Sequence, residues 1–212
     1  MSIASLARFE VPVGGVESQG LLMPKLKYRF RVRFTGFGAI PGGATVLTKQ
    51  VMKASRPDVS FDEIKLPVYN STVKLPGKYT WADTQITLRD DASGQVSQIV
   101  GQQIQRQFDF YEQSSAASAG DFKFTMDLDI LDGGNGYDNY AVLETFQFIG
   151  CYIKKAKYAD GDYGNSTEPM DIVLDITYDN AIQFINGKLS GVGGIGNGAQ
   201  HPGTFGLATA AR

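Results

Sequence analysis

Two alternating segments decide the fold of this chain: Lys25-Leu-Lys-Tyr-Arg-Phe-Arg-Val-Arg-Phe34 and Asp121-Phe-Lys-Phe-Thr-Met-Asp-Leu-Asp-Ile130. In both segments the even positions are apolar or aromatic, and most odd positions are charged. Successive side chains of a strand point to opposite faces, so a period of two indicates a strand with one buried face. Each segment therefore predicts a β-strand that packs one side against a core.

The rest of the chain adds strands around these two. Alternation or apolar content predicts strands at residues 45–54, 84–89, 141–158 and 170–178, the third being one long strand or two short ones around Gly150. Apolar residues recur with helical spacing only over residues 95–113, after an acidic turn at residues 90–94. We therefore predict a mainly β fold, an antiparallel β-barrel or sandwich with one flanking α-helix.

The segment 55–81 predicts a long extended hairpin. Pro57, Pro67 and Pro76 interrupt it, and proline cannot donate to a sheet ladder, so the segment belongs at an edge or in a projecting hairpin. It is nevertheless rich in apolar and aromatic residues. Apolar surface on an extended excursion requires a covering partner, which is either this chain's own core or another molecule.

Three ranges describe the predicted organisation: an irregular N-terminal arm at 1–20, a β domain at 21–186, and a flexible C-terminal tail at 187–212. The tail contains eight of the 25 glycines and few large apolar residues. The start of the chain lacks a basic flank followed by an apolar core, so no signal peptide is expected, and no apolar run is long enough for a membrane helix.

Composition argues against most kinds of catalytic or metal site. One Cys and one His in 212 residues exclude an internal disulfide and His/Cys zinc sites, and we expect no cofactor. Two carboxylate pairs, Asp127 with Asp129 and Asp171 with Asp175, have spacings that paired-carboxylate glycoside hydrolysis could use. Aspartates opposite an apolar face are also typical of a solvated strand, and we favour a chain without catalytic residues.

Charge is distributed unevenly along the chain despite a net charge of −2. Residues 1–57 contain nine Lys/Arg and two Asp/Glu, whereas residues 121–179 contain four and twelve. One interpretation is that these segments neighbour each other in a sheet and pair their charges across strands. The other is that copies of the chain meet basic side to acidic side.

An ordered set of segments resembles the tail tube proteins of contractile-tailed bacteriophages. The set begins with Lys25–Phe34 and continues with Lys53-Ala-Ser-Arg-Pro-Asp-Val-Ser-Phe61, Glu63-Ile-Lys-Leu-Pro-Val-Tyr-Asn-Ser71, Lys74-Leu-Pro-Gly-Lys-Tyr-Thr-Trp81 and Ile86-Thr-Leu-Arg-Asp-Asp91. It ends with Phe148-Ile-Gly-Cys-Tyr-Ile-Lys-Lys155 and Leu174-Asp-Ile-Thr-Tyr-Asp-Asn-Ala-Ile182, and covers about residues 22–184.

The resemblance implies hexameric rings stacked into a hollow tube whose lumen conducts double-stranded DNA during ejection. It implies that the helix lies outside the tube and that the hairpin reaches an adjacent ring, with Phe61, Val68, Tyr69 and Trp81 as contact candidates. Because a conduit should not hold phosphates, Asp127, Asp129, Asp171 and Asp175 are candidates to line the lumen.

The same resemblance implies partners and a location. The partners are further copies of the chain, the tail sheath protein, and baseplate and tail-terminator proteins, with DNA passing without tight binding and no membrane anchor. The location is the tail of the virion, after assembly in the host bacterial cytoplasm. One alternative with the same fold is a baseplate tube initiator, or the tube protein of a phage-derived secretion or injection device. An alternative of another class is a carbohydrate-binding β module or a glycosidase with paired carboxylates.

Overall fold

The computed structural model describes residues 24–38, 43–132, 142–164, 167–185 and 188–189. The predicted arm at 1–20, and the predicted tail apart from residues 188–189, lie outside the described residues. In chain order the elements are β1 (Phe30–Thr35), α1 (Gly43–Gln50), β2 (Val51–Ala54), β3 (Val59–Val68), β4 (Ser71–Trp81), β5 (Thr84–Arg89), α2 (Gln95–Gln107), β6 (Phe108–Asp109), β7 (Ser114–Ser115), α3 (Ala119–Phe122), β8 (Phe124–Leu131), β9 (Val142–Tyr158), β10 (Asp171–Thr177), β11 (Asn180–Ile185) and β12 (Lys188–Leu189).

The described chain is mainly β and all its strand pairings are antiparallel, which confirms the predicted fold class. The strands follow the order β1-β8-β9-β10-β5-β2, and β11 and β12 branch from β9. The amino-terminal part of β9 pairs with β8 and β11, and its carboxyl-terminal part pairs with β10. We call β1-β8-β9-β11 the first sheet and β9-β10-β5-β2 the second sheet.

Gly150 lies where β9 passes from the first sheet to the second. Its φ of 71° is a left-handed conformation that favours glycine. A Cβ atom at this position would lie 2.2 Å from Oδ2 of Asp179, and the Asp179 amide donates to the carbonyl of Ile149. Glycine is therefore required at this crossing, which explains why one long strand serves both sheets.

The two sheets bury their inward faces in one shared core. Each alternating strand contributes its apolar side, and the largest fully buried side chains include Ile86, Leu88, Met126, Leu128, Phe148, Ile172, Leu174 and Ile176. Helix α2 adds Val96, Ile99 and Val100 to the same core. The side chains opposite these residues therefore point away from the core, on a different side of the molecule for each sheet.

Three of the predicted elements differ in the structure, which also contains the strand β11 that the sequence did not predict. Residues 45–54 are not one strand, because Val46 packs against the core and Leu47 is buried in it, and two adjacent inward residues fit the helix α1. The alternating segment at 25–34 becomes a strand only from Phe30, since its partner β8 ends beside that point and Arg29 instead donates to Leu26 in a turn.

The third difference concerns the helices. The predicted helix at 95–113 ends at Gln107, because Phe108 has extended backbone angles and pairs with Ser115. The predicted acidic turn lies at the start of α2, where Oδ1 of Asp91 accepts a hydrogen bond from the amide of Val96. The described residues also contain the short helices α1 and α3, so α2 is not the single helix.

Candidate assembly surfaces

The hairpin of β3 and β4 projects away from the two sheets. Apart from Gly77, every residue from Ser60 to Thr80 is exposed, so both faces of the two-stranded ribbon meet solvent. At about 3.3 Å per residue, the ten residues of β3 span roughly 33 Å. The predicted extended hairpin at 55–81 is therefore confirmed, and it is not folded back on its own core.

One face of the hairpin is a continuous apolar stripe. The pairs Ile64 with Leu75 and Leu66 with Val73 lie side by side beyond a bulge, and Phe61 pairs with Tyr79 before it. The apolar residues of β3 occur at 59, 61, 64, 66 and 68, so one step is three residues instead of two. The bulge between Phe61 and Glu63 absorbs the extra residue and keeps the stripe on one face.

The opposite face of the hairpin is charged and mainly basic. Lys65 pairs directly with Lys74 in the ladder, and Glu63 lies beside both, with its carboxylate 3.6 Å and 2.7 Å from their ammonium groups. Pro76 is the ladder partner of Glu63, and Lys78 follows Pro76 by two residues on the same face of β4. The hairpin thus has an apolar side and a lysine side.

The tip of the hairpin presents Tyr69 to solvent. The two-residue turn Tyr69-Asn70 joins the strands, and Tyr69 has a φ of 50° with a fully exposed side chain. A bulky residue at positive φ is strained, and such strain clusters at functional positions. This strain supports Tyr69 as a contact candidate, because glycine or asparagine would form the same turn without strain.

The predicted contact residues divide into two groups. Phe61, Val68 and Tyr69 are exposed on the stripe and tip, where a partner can reach them. Trp81 is only partly exposed, and its ring lies 5.7 Å from that of Tyr178, which contacts Phe148 in the core. Trp81 therefore anchors the base of the hairpin, and burial raises the pKa of its neighbour Tyr178 to about 12.

The four predicted lumen aspartates do not share a surface. Asp127 and Asp129 lie on the outer face of the first sheet, opposite Met126 and Leu128. Asp171 and Asp175 lie on the outer face of the second sheet, opposite Ile172 and Leu174. Because the shared core separates these faces, one bore cannot be lined by all four residues.

Asp129 is also buried beneath two arginines. It has no exposed side-chain surface, and its carboxylate accepts hydrogen bonds from Arg31 (2.7 Å), Arg33 (3.0 Å) and Thr145 (2.8 Å). Burial acts to raise the pKa of Asp129, but these donors outweigh it and hold the pKa below its ordinary value. Asp129 thus presents no carboxylate to solvent in the isolated chain, and its place at a lumen stays a prediction.

The burial of Asp129 also weakens the glycosidase alternative. A hydrolytic pair needs two carboxylates that reach the same sugar, but Asp129 is closed off by its arginines, and Asp127 lies 3.4 Å from Arg33. Within the described ranges no group of three or more His, Cys, Asp or Glu residues is arranged to hold a metal ion. No helix there has the length and apolarity needed to span a membrane.

Charge pairing across strands is confirmed for the basic and acidic segments. Arg31 faces Asp129 and Arg33 faces Asp127 in the β1–β8 register. Lys25 bonds to Glu144, which also accepts a hydrogen bond from Gln183. The two Arg–Asp pairs therefore balance the charge on the outer face of the first sheet, whereas Glu144 lies on the inward face as the ladder partner of Ile130.

Gln107 blocks one edge of the second sheet. Its side-chain amide donates to the carbonyl of Ile153 and accepts from the Ile153 amide, both at 2.8 Å, as a neighbouring strand would. This pairing holds the end of α2 against the free side of β9. Periodicity could not reveal it, because a polar residue in a helix gives no sign of which strand it contacts.

Comparison with solved structures identifies the fold. A chain of the anti-feeding prophage baseplate, in a structure with sixfold symmetry applied, superposes with a TM-score of 0.56 at 12% identity, covering 80% of this chain and 100% of that one. A chain of the anti-feeding prophage tube-terminating cap gives 0.54 at 14% identity, covering 80% and 96%. The SPP1 tail tube gives 0.45 at 15% identity, covering 79% and 81%.

Sequence comparisons find no counterpart: no family model matches the chain, and no curated protein does. The structural likeness nevertheless confirms the resemblance to tail tube proteins at the level of the fold.

Proposed function

We propose that this protein is a structural subunit of the tube of a contractile tail or injection apparatus. The observation that carries the proposal is the hairpin, whose apolar stripe is exposed along its whole length in the isolated chain. A contiguous apolar surface on a ribbon with two solvated faces is typical of an interaction site. An adjacent ring in a stack would cover it, with Phe61, Val68 and Tyr69 as the contacts.

Hexameric rings are part of the proposal. The sixfold symmetry of the baseplate neighbour supports this number of subunits. The sheet that closes the ring is expected to be the first one, because Gln107 occupies the β9 edge of the second sheet. Joining β1 of one copy to the part of β11 that β12 leaves unpaired in the next copy, residues 180–183, would cover two sheet edges per subunit.

Such a ring directs the outer face of the first sheet toward the bore. Asp127 then lines the lumen beside Arg31 and Arg33, and Asp171 and Asp175 face outward. Because the arginines on this face are paired with carboxylates, they are poorly placed to hold phosphates. This balance suits a conduit for double-stranded DNA, since unpaired cations would bind its backbone tightly.

The proposed partners follow from a position in the tube. They are further copies of the chain, a sheath protein outside the tube, and baseplate and terminator proteins at its two ends. The proposed location is the virion tail or an equivalent particle, assembled in the host bacterial cytoplasm. The role is structural and requires no cofactor or catalytic residue.

A second candidate is a capping or initiating subunit at one end of the tube. The specific observation is that two neighbours with TM-scores above 0.5 come from a baseplate and from a tube-terminating cap. The tube of a secretion or injection device would use the same fold. An end subunit would form rings but would not stack them indefinitely.

Electron microscopy of the purified full chain tests these candidates. A tube subunit is expected to form hexameric rings that stack into hollow tubes as concentration rises. Single rings or pairs of rings that never lengthen would indicate an end subunit. A chain that stays monomeric at high concentration would contradict both.

A further inference from the structure

The hairpin and an apolar groove lie at opposite ends of the second sheet. The hairpin connects to β5 at Thr84, and β2 ends beside the same point because the Ser55 amide donates to Gln85. At the other end of β5, Arg89 pairs with Asp171, and the Asp90 amide donates to Met170. The five residue steps from Thr84 to Arg89 separate the two ends by roughly 17 Å.

The groove lies between α2 and the end of β9. It encloses about 480 Å³ and is lined by Gly101, Ile104, Gln105, Phe110, Ala156 and Tyr158. Phe110 and Tyr158 are both substantially exposed, so the walls of the groove present aromatic surface to solvent.

The borders of the groove are acidic. The segments that adjoin the lining residues in sequence, 108–113 and 159–164, contain four acids and no Lys or Arg, and the turn before α2 adds two more: Asp109, Glu112, Asp160, Asp162, Asp90 and Asp91. Burial and the nearby negative charge of Asp90 raise the pKa of the Tyr158 hydroxyl in the groove wall, so this carboxylate lies beside the lining. An apolar floor with an acidic border suits an apolar ribbon that carries lysines.

The hairpin has the complementary character. From residue 64 to residue 80 it contains three lysines and no acid, with Asp62 and Glu63 at the boundary and the Glu63 carboxylate 3.6 Å from Lys65 and 2.7 Å from Lys74. Its stripe and its Tyr69 tip provide apolar groups, and its other face provides Lys65, Lys74 and Lys78. Opposite charges at the two ends of one chain favour head-to-tail contact between copies, because head-to-head contact would bring like charges together.

We infer that the groove between α2 and β9 receives the hairpin tip of a second copy of this chain. Tyr69 and Val68 enter the groove, and the lysine face lies along the acidic border. The contact is heterologous, so each copy offers a hairpin at one end and a groove at the other, and the assembly can extend. This inference rests on the proposed function, for which it identifies the receiving surface.

Thiol cross-linking between two variants tests the contact directly. One full-length variant carries Asn70→Cys at the tip and the other Gly101→Cys in the groove, where an added Cβ meets no atom within 4 Å. A short bismaleimide is expected to join the two variants when they are mixed, and neither variant to itself. The native Cys151 stays out of the reaction because it is buried, and burial raises its pKa to about 12.

A matched control replaces the groove thiol with a distant one. Thr35→Cys places an exposed thiol at the end of β1, away from the groove. A mixture of this variant with Asn70→Cys is expected to give little cross-linked product. Equal cross-linking in the two mixtures would overturn the inference, because it would reflect random collision.

Filling the groove tests the same contact without cross-linking. Gly101→Phe is expected to raise the concentration needed for stacking about tenfold or more, a change of roughly 1.4 kcal/mol or more. Gln95→Phe adds the same ring at an exposed position on another face of α2 and is expected to stack normally. Circular dichroism melting of both variants checks that the subunit remains folded.

The outcomes separate this inference from the proposed function. If the wild-type chain stacks, but the Asn70 and Gly101 thiols do not join and Gly101→Phe stacks normally, the groove is not the receiver. The tube function would then stand with a different contact. If the wild-type chain does not stack and the Asn70 and Gly101 thiols do not join, both proposals fail.

Discussion

Asp129 joins the basic strand β1 to the acidic strand β8 by pairing with two arginines. A buried carboxylate without partners would be costly, but Arg31, Arg33 and Thr145 supply hydrogen bonds to both of its oxygens. The two arginines lie on the same face of β1 because they are two residues apart. The alternating segment at 25–34 therefore carries both the strand and the charges that pair it with β8.

We predict that Asp129→Asn lowers the free energy of unfolding by about 3 kcal/mol, because it leaves two arginines facing a neutral group. The depressed pKa adds a pH dependence. The stabilisation is present above the ordinary carboxyl pKa of 3.8 and is lost as pH falls through the lower folded value. Urea unfolding at pH 7 and at pH values below 4 measures both effects.

The neighbouring aspartate provides the control for this prediction. Asp127→Asn removes a more exposed carboxylate that has one arginine at 3.4 Å, so its effect should be well below that of Asp129→Asn. Equal losses from the two variants would contradict the argument from burial.

The hairpin is the element whose form is most closely tied to the proposed function. The bulge between Phe61 and Glu63 keeps the apolar residues of β3 on one face. A ribbon that only needed to be extended would not require such a bulge. The ribbon contributes little to the core beyond its anchor at Trp81. Its surface can therefore change without loss of the fold.

We predict that Leu66→Thr combined with Leu75→Thr leaves the isolated subunit folded, with its unfolding free energy changed by about 0.5 kcal/mol or less. Both side chains are exposed in the free chain, so the core does not lose them. Stacking should weaken about tenfold or more, since each leucine loses apolar contact in the assembly. Sedimentation across a concentration series measures the stacking.

Thr72→Ala on the opposite face of the hairpin is the control and should stack like the wild type. A double variant that stacks normally would show that the apolar stripe is not the contact.

Helices α1 and α2 show where periodicity succeeds and where it stops. The spacing of Val96, Ile99 and Val100 predicts α2 correctly, but the end of the helix depends on Phe108 pairing with Ser115, which no periodicity reveals. Residues 45–54 contain β-branched residues and suggest a strand. Core packing of Leu47 overrides that preference and gives α1.

The two sheets of the molecule present separate outer faces, and the proposed tube turns the face of the first sheet toward its bore. Two glutamines offer matched probes, because each donates to an aspartate on the outer face of one sheet. Gln147 donates to Asp127 on the first sheet at 3.1 Å, and Gln85 donates to Asp175 on the second sheet at 3.0 Å. Lysine at either position adds one positive charge per subunit.

We predict that tubes of Gln147→Lys hold short double-stranded DNA inside the bore, where it survives nuclease digestion. Six added charges per ring favour binding of phosphates. Gln85→Lys tubes should bind DNA only on the outside, where nuclease removes it. Protection by Gln85→Lys tubes instead would assign the bore to the second sheet.

The sequence alone determined the mainly β fold, the buried faces of its strands and the presence of a projecting hairpin. It could do so because alternation, helical spacing and proline are local properties of the chain. Only the tertiary structure decided that the four aspartates fall on two separate faces, that Asp129 lies under arginines, and that Gln107 covers a sheet edge. These depend on which strands become neighbours across the core, and the energies that select those neighbours come from residues far apart in the chain.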